Sequence, residues 1–210
     1  MTLQEIGLKH GTDKATTHFY MDNYEKYLSE WRDKEFVLLE LGVAGGTSIK
    51  TWREYFPKAK VYGIDNNPDC AGEGIFIGSQ TDTVFLQSVL DKIGQPLICI
   101  DDCSHEGDKT VETFKYLFPK IYPRGFYFIE DCATFYSNTY SGEFEANGRS
   151  KVFNFFTGLA YDVDVAGRGM TGNVDYALKL ENPTFDPVPL YSPILDSIHI
   201  HPSLWLLKRK

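Results

Sequence analysis

Residues 100–107 read IDDCSHEG, and residues 128–131 read FIED. Each places carboxylates directly behind an apolar run, PLICI (Pro96 to Ile100) in the first case and GFYFI (Gly125 to Ile129) in the second. Short runs of branched and aromatic residues like these predict buried strands. Asp101 and Asp102 then stand at the C-terminal end of one strand, and Glu130 and Asp131 at the end of another. If the two strands are neighbours in a parallel sheet, their ends lie about 5 Å apart. Three or four carboxylates in one crevice repel one another unless something compensates them. A hard divalent cation such as magnesium does so, and oxygen ligands suit it. His105 follows Asp102 by three residues, so it can lie on the turn facing the same crevice. An imidazole, with an unperturbed pKa of about 6.5, suits a general base at neutral pH. The plainer alternative gives the acids separate roles, one capping a helix and another paired to Lys or Arg. An isolated Asp-Asp favours that alternative; its pairing with FIED favours a shared site.

A second set of residues lies upstream, in ELGVAGGTS (Glu40 to Ser48). Glycines between a strand and a helix let a ligand approach the backbone near a helix N-terminus. The dinucleotide pattern GxGxxG fits poorly, because its three glycine positions hold Gly42, Ala44 and Thr47. The pattern acid-x-Gly-x-x-x-Gly fits better, through Glu40, Gly42 and Gly46. It resembles the first motif of class I S-adenosylmethionine (SAM) methyltransferases, where the loop wraps the amino-acid end of SAM and the acid helps orient it. A glycine turn for tight strand–helix packing is the alternative. Asp65, in GIDNNP, follows the loop at the end of the next predicted strand. An acid placed there can accept hydrogen bonds from both ribose hydroxyls of a nucleotide cofactor; an Asx turn before Pro68 is its plainer role. In GSQTD, Ser79, Gln80 and Asp82 could meet an adenine edge, while Ser79 or Thr81 could cap the helix that follows.

The elements that must position these residues alternate along the chain. Helical spacing covers 19–32, 47–57, 81–94 and 108–121, and strand-like runs cover EFVLLELGV, VYGIDNNP, GIFIGS, PLICIDD and GFYFIED. Strands alternating with helices imply βαβ units and a parallel sheet with helices on both faces. Residues 132–149 are polar and rich in Tyr and Phe, and read as a long functional loop. Its Phe135, Tyr136 and Tyr140 could stack on an acceptor ring or simply pack the loop. Residues 151–160 look helical, and 161–175 look like a second irregular loop. SIHIHPSLWLLKR reads as a terminal hairpin that closes the sheet.

Composition narrows the partners. A net charge of -8 argues against nucleic acid, whose phosphates call for a basic face. No run of about 18 apolar residues predicts a membrane span. The start, MTLQEIGLKHG, has no signal-peptide pattern, and Cys70, Cys99, Cys103 and Cys132 form no CxxC pair. Reduced thiols and a cytoplasmic location are therefore expected. Cys103 and Cys132 are poor metal-ligand candidates beside hard oxygens. Tyr116 and Lys120 match the Tyr-xxx-Lys pair of short-chain dehydrogenases, but Pro119 between them disturbs the helical turn that the pair needs.

One family shares these motifs in this order: GTDK (Gly11 to Lys14) with HFY, then LLELGVAGGTSIKTWREYFP, GIDNNP, GSQTD, IDDCSH and FIED. Over about residues 8–132 the chain resembles the metal-dependent sugar O-methyltransferases of macrolide biosynthesis, of the macrocin and mycinamicin type, and their cephalosporin-hydroxylase-like relatives. The resemblance implies a Rossmann-like class I methyltransferase fold, with a mostly parallel seven-stranded sheet, a C-terminal antiparallel hairpin and helices on both faces. With no internal repeat and no low-complexity linker, the sequence reads as one domain over 1–210, with 1–34 as a helical lead-in and 132–149 and 161–175 as loops on the substrate side. The resemblance assigns magnesium, or another hard divalent cation, to Asp102, Glu130 and Asp131. It assigns the general base to His105, and SAM to Glu40, Gly42, Gly46, Asp65, Ser79, Gln80 and Asp101. Cys103 departs from the glycine or alanine expected there. The partner implied is a small-molecule hydroxyl acceptor, a sugar or glycoside, with assembly into a homo-oligomer left open. A catechol or phenol methyltransferase using the same carboxylates is the nearest rival. A non-catalytic protein that binds SAM or metal is the rival from another class.

Overall fold

Five parallel strands bring the predicted residues to one edge in the computed structural model, which describes residues 1–137, 139–140, 144, 150–168, 191 and 193–210. The strands are β1 (Val37–Leu41), β2 (Lys60–Asp65), β3 (Ile75–Ile77), β4 (Ile98–Asp101) and β5 (Phe126–Ile129), with the hairpin β6 (Leu195–His201) and β7 (Leu204–Arg209). Their order across the seven-stranded sheet is β3-β2-β1-β4-β5-β7-β6. β1 to β5 pair in parallel, and β7 runs antiparallel to both β5 and β6. The chain reverses its direction of travel across the sheet between β1 and β4. A switch point of this kind opens a crevice beyond the C-terminal strand ends. Registry aligns those ends, with Leu41 opposite Asp101 and Asp101 opposite Ile129.

Helices cover both faces, and strand alternation decides which residues each face receives. Leu39, Cys99, Tyr127 and Ile129 join α5 (Thr83–Ile93), α6 (Gly107–Leu117) and α7 (Lys151–Arg168) in one core. Leu38, Ile98, Ile100 and Phe128 join α1 (Leu3–His10), α3 (Met21–Leu28) and α4 (Thr47–Tyr55) in the other. Each fully buried side chain of this size contributes about 1.5–3 kcal/mol relative to exposure. The short helix α2 (Asp13–Thr16) lies between α1 and α3 in sequence.

Local chemistry explains where several elements begin and end. α1 starts on a capping box, with Thr2 and Glu5 exchanging hydrogen bonds, and stops at Gly11 in the left-handed region. α5 is capped by Asp82, which accepts from the N–H groups of Val84 and Phe85; neither Ser79 nor Thr81 does this. The helix expected over 19–32 is shorter, because its last turn tightens to a 3-10 turn at Ser29–Trp31. The loop expected over 161–175 is helical as far as Arg168, and the remainder lies outside the described residues. Val152, Phe156, Leu159 and Val163 form one apolar stripe against the core, which extends α7 past the predicted end. Much of the expected loop over 132–149 also lies outside the described residues; its start, Cys132–Tyr136, is a 3-10 turn. Among the described residues no helix is long and apolar enough to cross a membrane. All four cysteines are free.

Candidate active site

The crevice at the switch point has a volume of about 450 Å³. One wall is the loop Gly42–Gly45 with Thr47, Ser48 and Asp65; the other is Asp102–His105 with Asp131 and Lys14. The two walls touch at their base. Gly42 has φ +89°, and a Cβ there would lie 1.8 Å from the Asp102 carbonyl oxygen, so only glycine fits. A Cβ at Gly45 would meet nothing within 4 Å, which leaves that side of the loop open to a ligand. Gly46, at φ +71°, turns the chain into α4.

Asp65 holds the loop in shape. Its Oδ2 accepts from the N–H groups of Val43 (2.8 Å) and Ala44 (3.1 Å), and its Oδ1 from that of Asn67 (2.8 Å). Burial works against its charge, but the backbone donors hold its pKa below the ordinary carboxylate range. Carboxylate oxygens accept more than one donor each, so Oδ1 keeps capacity for a hydroxyl.

The pleat sends consecutive acids to opposite faces. Glu40 and Glu130 lie on the α1–α3 side, where Tyr24 OH donates to Glu130 Oε1 at 2.6 Å and Ser48 Oγ donates to Glu40 Oε2 at 2.9 Å. Asp102 joins them. Asp101 lies on the α5–α6 side, where Tyr127 OH donates to it at 3.1 Å and Gln80 Nε2 at 3.4 Å. Burial pushes the Asp101 pKa up to about 7. Gln80 is also buried; its Oε1 accepts from Ser104 N at 3.2 Å, which ties this network to the turn carrying His105. Asp101, Ser79 and Gln80 therefore stand behind or beside the crevice, not on its lining, and Glu40, Gly46 and Glu130 are likewise off it.

Sequence reasoning did not single out the cation at the centre of the charged side. Lys14 is 1% exposed, and its Nζ contacts Asp102 Oδ2, Glu130 Oε2 at 2.9 Å and Glu40 Oε1 at 3.5 Å. Burial lowers its pKa, but the charges of Glu130, Asp102 and Glu40 outweigh that and hold the ammonium well above its usual value. Burial raises the pKa values of Glu40, Asp102 and Glu130, against the pull of Lys14. Glu40 Oε1 makes no hydrogen bond to the described residues.

Asp131 faces the open side. Tyr20 OH donates to its Oδ1 at 2.8 Å, and His18 Nδ1 lies 3.2 Å from the same atom. His105 Nε2 lies 3.5 Å from Asp131 Oδ2 and 3.8 Å from Asp102 Oδ1. Both Asp131 (φ +54°) and His105 (φ +56°) adopt the left-handed conformation, which aims their side chains into the crevice at a cost in backbone strain. His18 and Tyr20 stood in the HFY stretch with no role assigned, and Tyr24 in a helical run; their polar ends meet acids more than 100 positions away.

Two donor sets fit a hard cation, and they divide the expected ligands, since Glu130 and Asp131 fall in different groups joined only by Asp102. Ligand atoms of Asp102, His105 and Asp131 lie within 4.8 Å of one another, as do those of Glu40, Asp102 and Glu130. Asp102 belongs to both groups. Cys103 is not part of either, and burial pushes its thiol up to about 12. The orphaned Glu40 oxygen and the open side of Gly45 fit a ligand with a cationic amino end. Of the three loop aromatics, Phe135 is buried and stacked on Phe156, while Tyr136 and Tyr140 are exposed. Tyr116 and Lys120 pack together elsewhere, with Tyr116 OH donating to Gln87.

Comparison with known proteins gives this geometry a family. A tetracenomycin rhamnosyl 2'-O-methyltransferase from Streptomyces olivaceus is 33% identical over 161 residues, 71% of this chain and 43% of that protein. This chain is a relative of the sugar O-methyltransferases. Mycinamicin VI 2''-O-methyltransferase from Micromonospora griseorubida is 30% identical over 153 residues, 67% of the chain and 38% of that enzyme. The chain thus spans less than half the length of the curated relatives it matches. No family model matches it. Among solved structures, the mycinamycin-pathway methyltransferase MycE, in complex with Mg, S-adenosylhomocysteine (SAH) and mycinamycin VI, superposes with a TM-score of 0.81 at 22% identity. It covers all of this chain and 53% of that one. The fold is that of the class I, Rossmann-like methyltransferases.

Proposed function

We propose that this chain carries a magnesium-dependent O-methyltransferase activity, moving the methyl group of SAM to a hydroxyl of a sugar or glycosylated natural product. The observation that supports it most is convergence. The glycine loop with Asp65 and the cluster Asp102, His105 and Asp131 line one crevice. The names of the relatives point to sugar hydroxyls as acceptors.

In this reading Glu40 and the Gly42–Gly46 loop receive the amino-acid end of SAM, and Asp65 takes the ribose. Asp102, Glu130 and Asp131 would hold the metal, with Asp102 common to both donor groups. When bound, the metal lowers the pKa of a vicinal hydroxyl and fixes its direction. His105 Nε2 takes the hydroxyl proton, and the carboxylates of Asp102 and Asp131, at 3.8 and 3.5 Å, stabilise the imidazolium that results. The oxygen then attacks the methyl carbon in line with the departing sulfur, and much of the acceleration is alignment by the crevice walls. Behind the turn, Gln80 and Asp101 hold Ser104, and so the approach of His105. Residues 1–210 act as one methyltransferase domain in this account.

The test is methyl transfer from labelled SAM to rhamnosylated polyketide and macrolide acceptors. EDTA is expected to abolish turnover and magnesium to restore it. His105→Ala is expected to lose about 10²–10⁴-fold in turnover while calorimetry still shows SAM binding. Undiminished turnover in either condition would overturn the mechanism.

A further inference from the structure

Lys14 is a cation of the charged side that the methyl-transfer account does not use. Its backbone is pinned. Lys14 O accepts from Tyr20 N at 2.9 Å, and Thr12 N donates to Gly7 O at 3.2 Å. A Cβ on Gly7 would lie 2.8 Å from Ala15 Cβ, so α1 and α2 pack backbone to side chain with no slack. The pinned segment delivers the lysine stem inward, between two proposed metal ligands and the proposed cofactor acid. A lysine stem has four rotatable methylenes, so its head can move while its backbone stays fixed.

Two cations cannot share Asp102 and Glu130 at contact distance without strong repulsion in a buried site. One of them must yield. We propose that Lys14 is a built-in competitor of the divalent cation. Its ammonium holds Asp102 and Glu130 in the metal-free protein and is displaced from them as the metal binds. The lysine thereby keeps the acids folded inward without metal and weakens metal affinity. This rests on the metal assignment proposed above. Lys14 is a positioning residue here, since it touches the ligands and not the acceptor.

Titration calorimetry with magnesium chloride, on wild type, Lys14→Gln and Lys14→Arg, tests the idea without any acceptor. Glutamine keeps a hydrogen-bond donor and removes the charge. Lys14→Gln is expected to bind magnesium at least about tenfold more tightly than wild type, a difference of about 1.4 kcal/mol. Its melting temperature is expected to rise more on adding magnesium than that of wild type, because a ligand stabilises in proportion to its affinity. Lys14→Arg, with the charge kept, is expected to stay nearer wild type. Equal or weaker binding by Lys14→Gln overturns the proposal, weaker binding being the result for a lysine that only builds the site. Absence of magnesium binding in both wild type and Lys14→Gln overturns the metal assignment itself and this proposal with it. A second measurement needs only folded wild type: NMR of ¹⁵N-labelled lysine ammonium groups, with Lys14 assigned by its loss in Lys14→Arg. The Lys14 signal is expected to shift as magnesium saturates the site, and an unchanged signal at saturation overturns the proposal.

Discussion

Asp101 and Asp102 are consecutive, yet they live in different chemical worlds. Asp102 turns to the face where Glu40 and Glu130 are buried, and there a lysine meets all three acids. Asp101 turns to the other face, where its partners are a tyrosine and a glutamine, and its pKa rises to about 7. Both faces must solve the same problem, a carboxyl removed from water. The first sets a lysine ammonium among its acids, although burial still raises their pKa values. The second solves it with neutral hydrogen bonds and a proton. In the proposed account the face with Lys14 exchanges its cation for a ligand, while the face with Asp101 supports the turn that carries His105. This difference separates residues that act in the proposed reaction from residues that position them.

The comparison breaks most visibly at Asp101. Its folded pKa lies above the unfolded value of about 3.9, so the folded state holds the proton more tightly. Its contribution is fully present below pH 4 and is lost as pH rises through about 7. The loss amounts to about 2–4 kcal/mol. Asp101→Asn is expected to remove this part of the pH dependence, so the gap between the two stability curves narrows or reverses towards pH 8. Urea unfolding at several pH values in chelator reads it, and parallel curves for the two proteins would show that Asp101 titrates normally.

The tyrosines sharpen the same contrast at smaller magnitude. Tyr24→Phe removes a buried donor and leaves Glu130 Oε1 unsatisfied beside Lys14, and is expected to cost about 1–3 kcal/mol. Tyr127→Phe removes a donor to Asp101 while that carboxyl is protonated, and is expected to cost about 0.5–1.5 kcal/mol at pH 6. The Tyr127 cost should grow at pH 8 as Asp101 ionises. Thermal or urea unfolding at the two pH values checks both, and equal costs at both pH values would erase the distinction between the faces.

Much of this arrangement was legible in the sequence. Apolar runs ended by acids marked β2, β4 and β5, one ended by a glycine loop marked β1, and alternation with helices marked a parallel sheet. The hairpin that closes it was visible in SIHIHPSLWLLKR. Asp65, Asp102, His105 and Asp131 all reach the crevice. Lys14 appeared only within the GTDK motif, because four residues of helix carry no periodicity and nothing local says that a lysine points inward. One signal was available: acids predicted to converge require a cation, and the lead-in supplies one. The split between Asp101 and Asp102 also follows from the pleat, although its consequence needed the partners on each face. Gln80 was read as a cofactor contact, but its amide turns to Asp101, Thr113 and the Ser104 backbone. A polar side chain after a strand can face in or out, and only the packing of α6 decides.

The central claim is that cofactor and metal meet in this one crevice. Manganese can replace magnesium as a hard divalent probe, and its unpaired electrons speed the nuclear relaxation of carbons close to it. The direct measurement is the relaxation of the ¹³C-labelled methyl group of SAM bound to the protein, with and without manganese. Strong manganese-dependent relaxation of that carbon, lost in Asp131→Asn, is the result predicted. Tight binding of both SAM and manganese with no such relaxation would place them in separate sites and contradict the account.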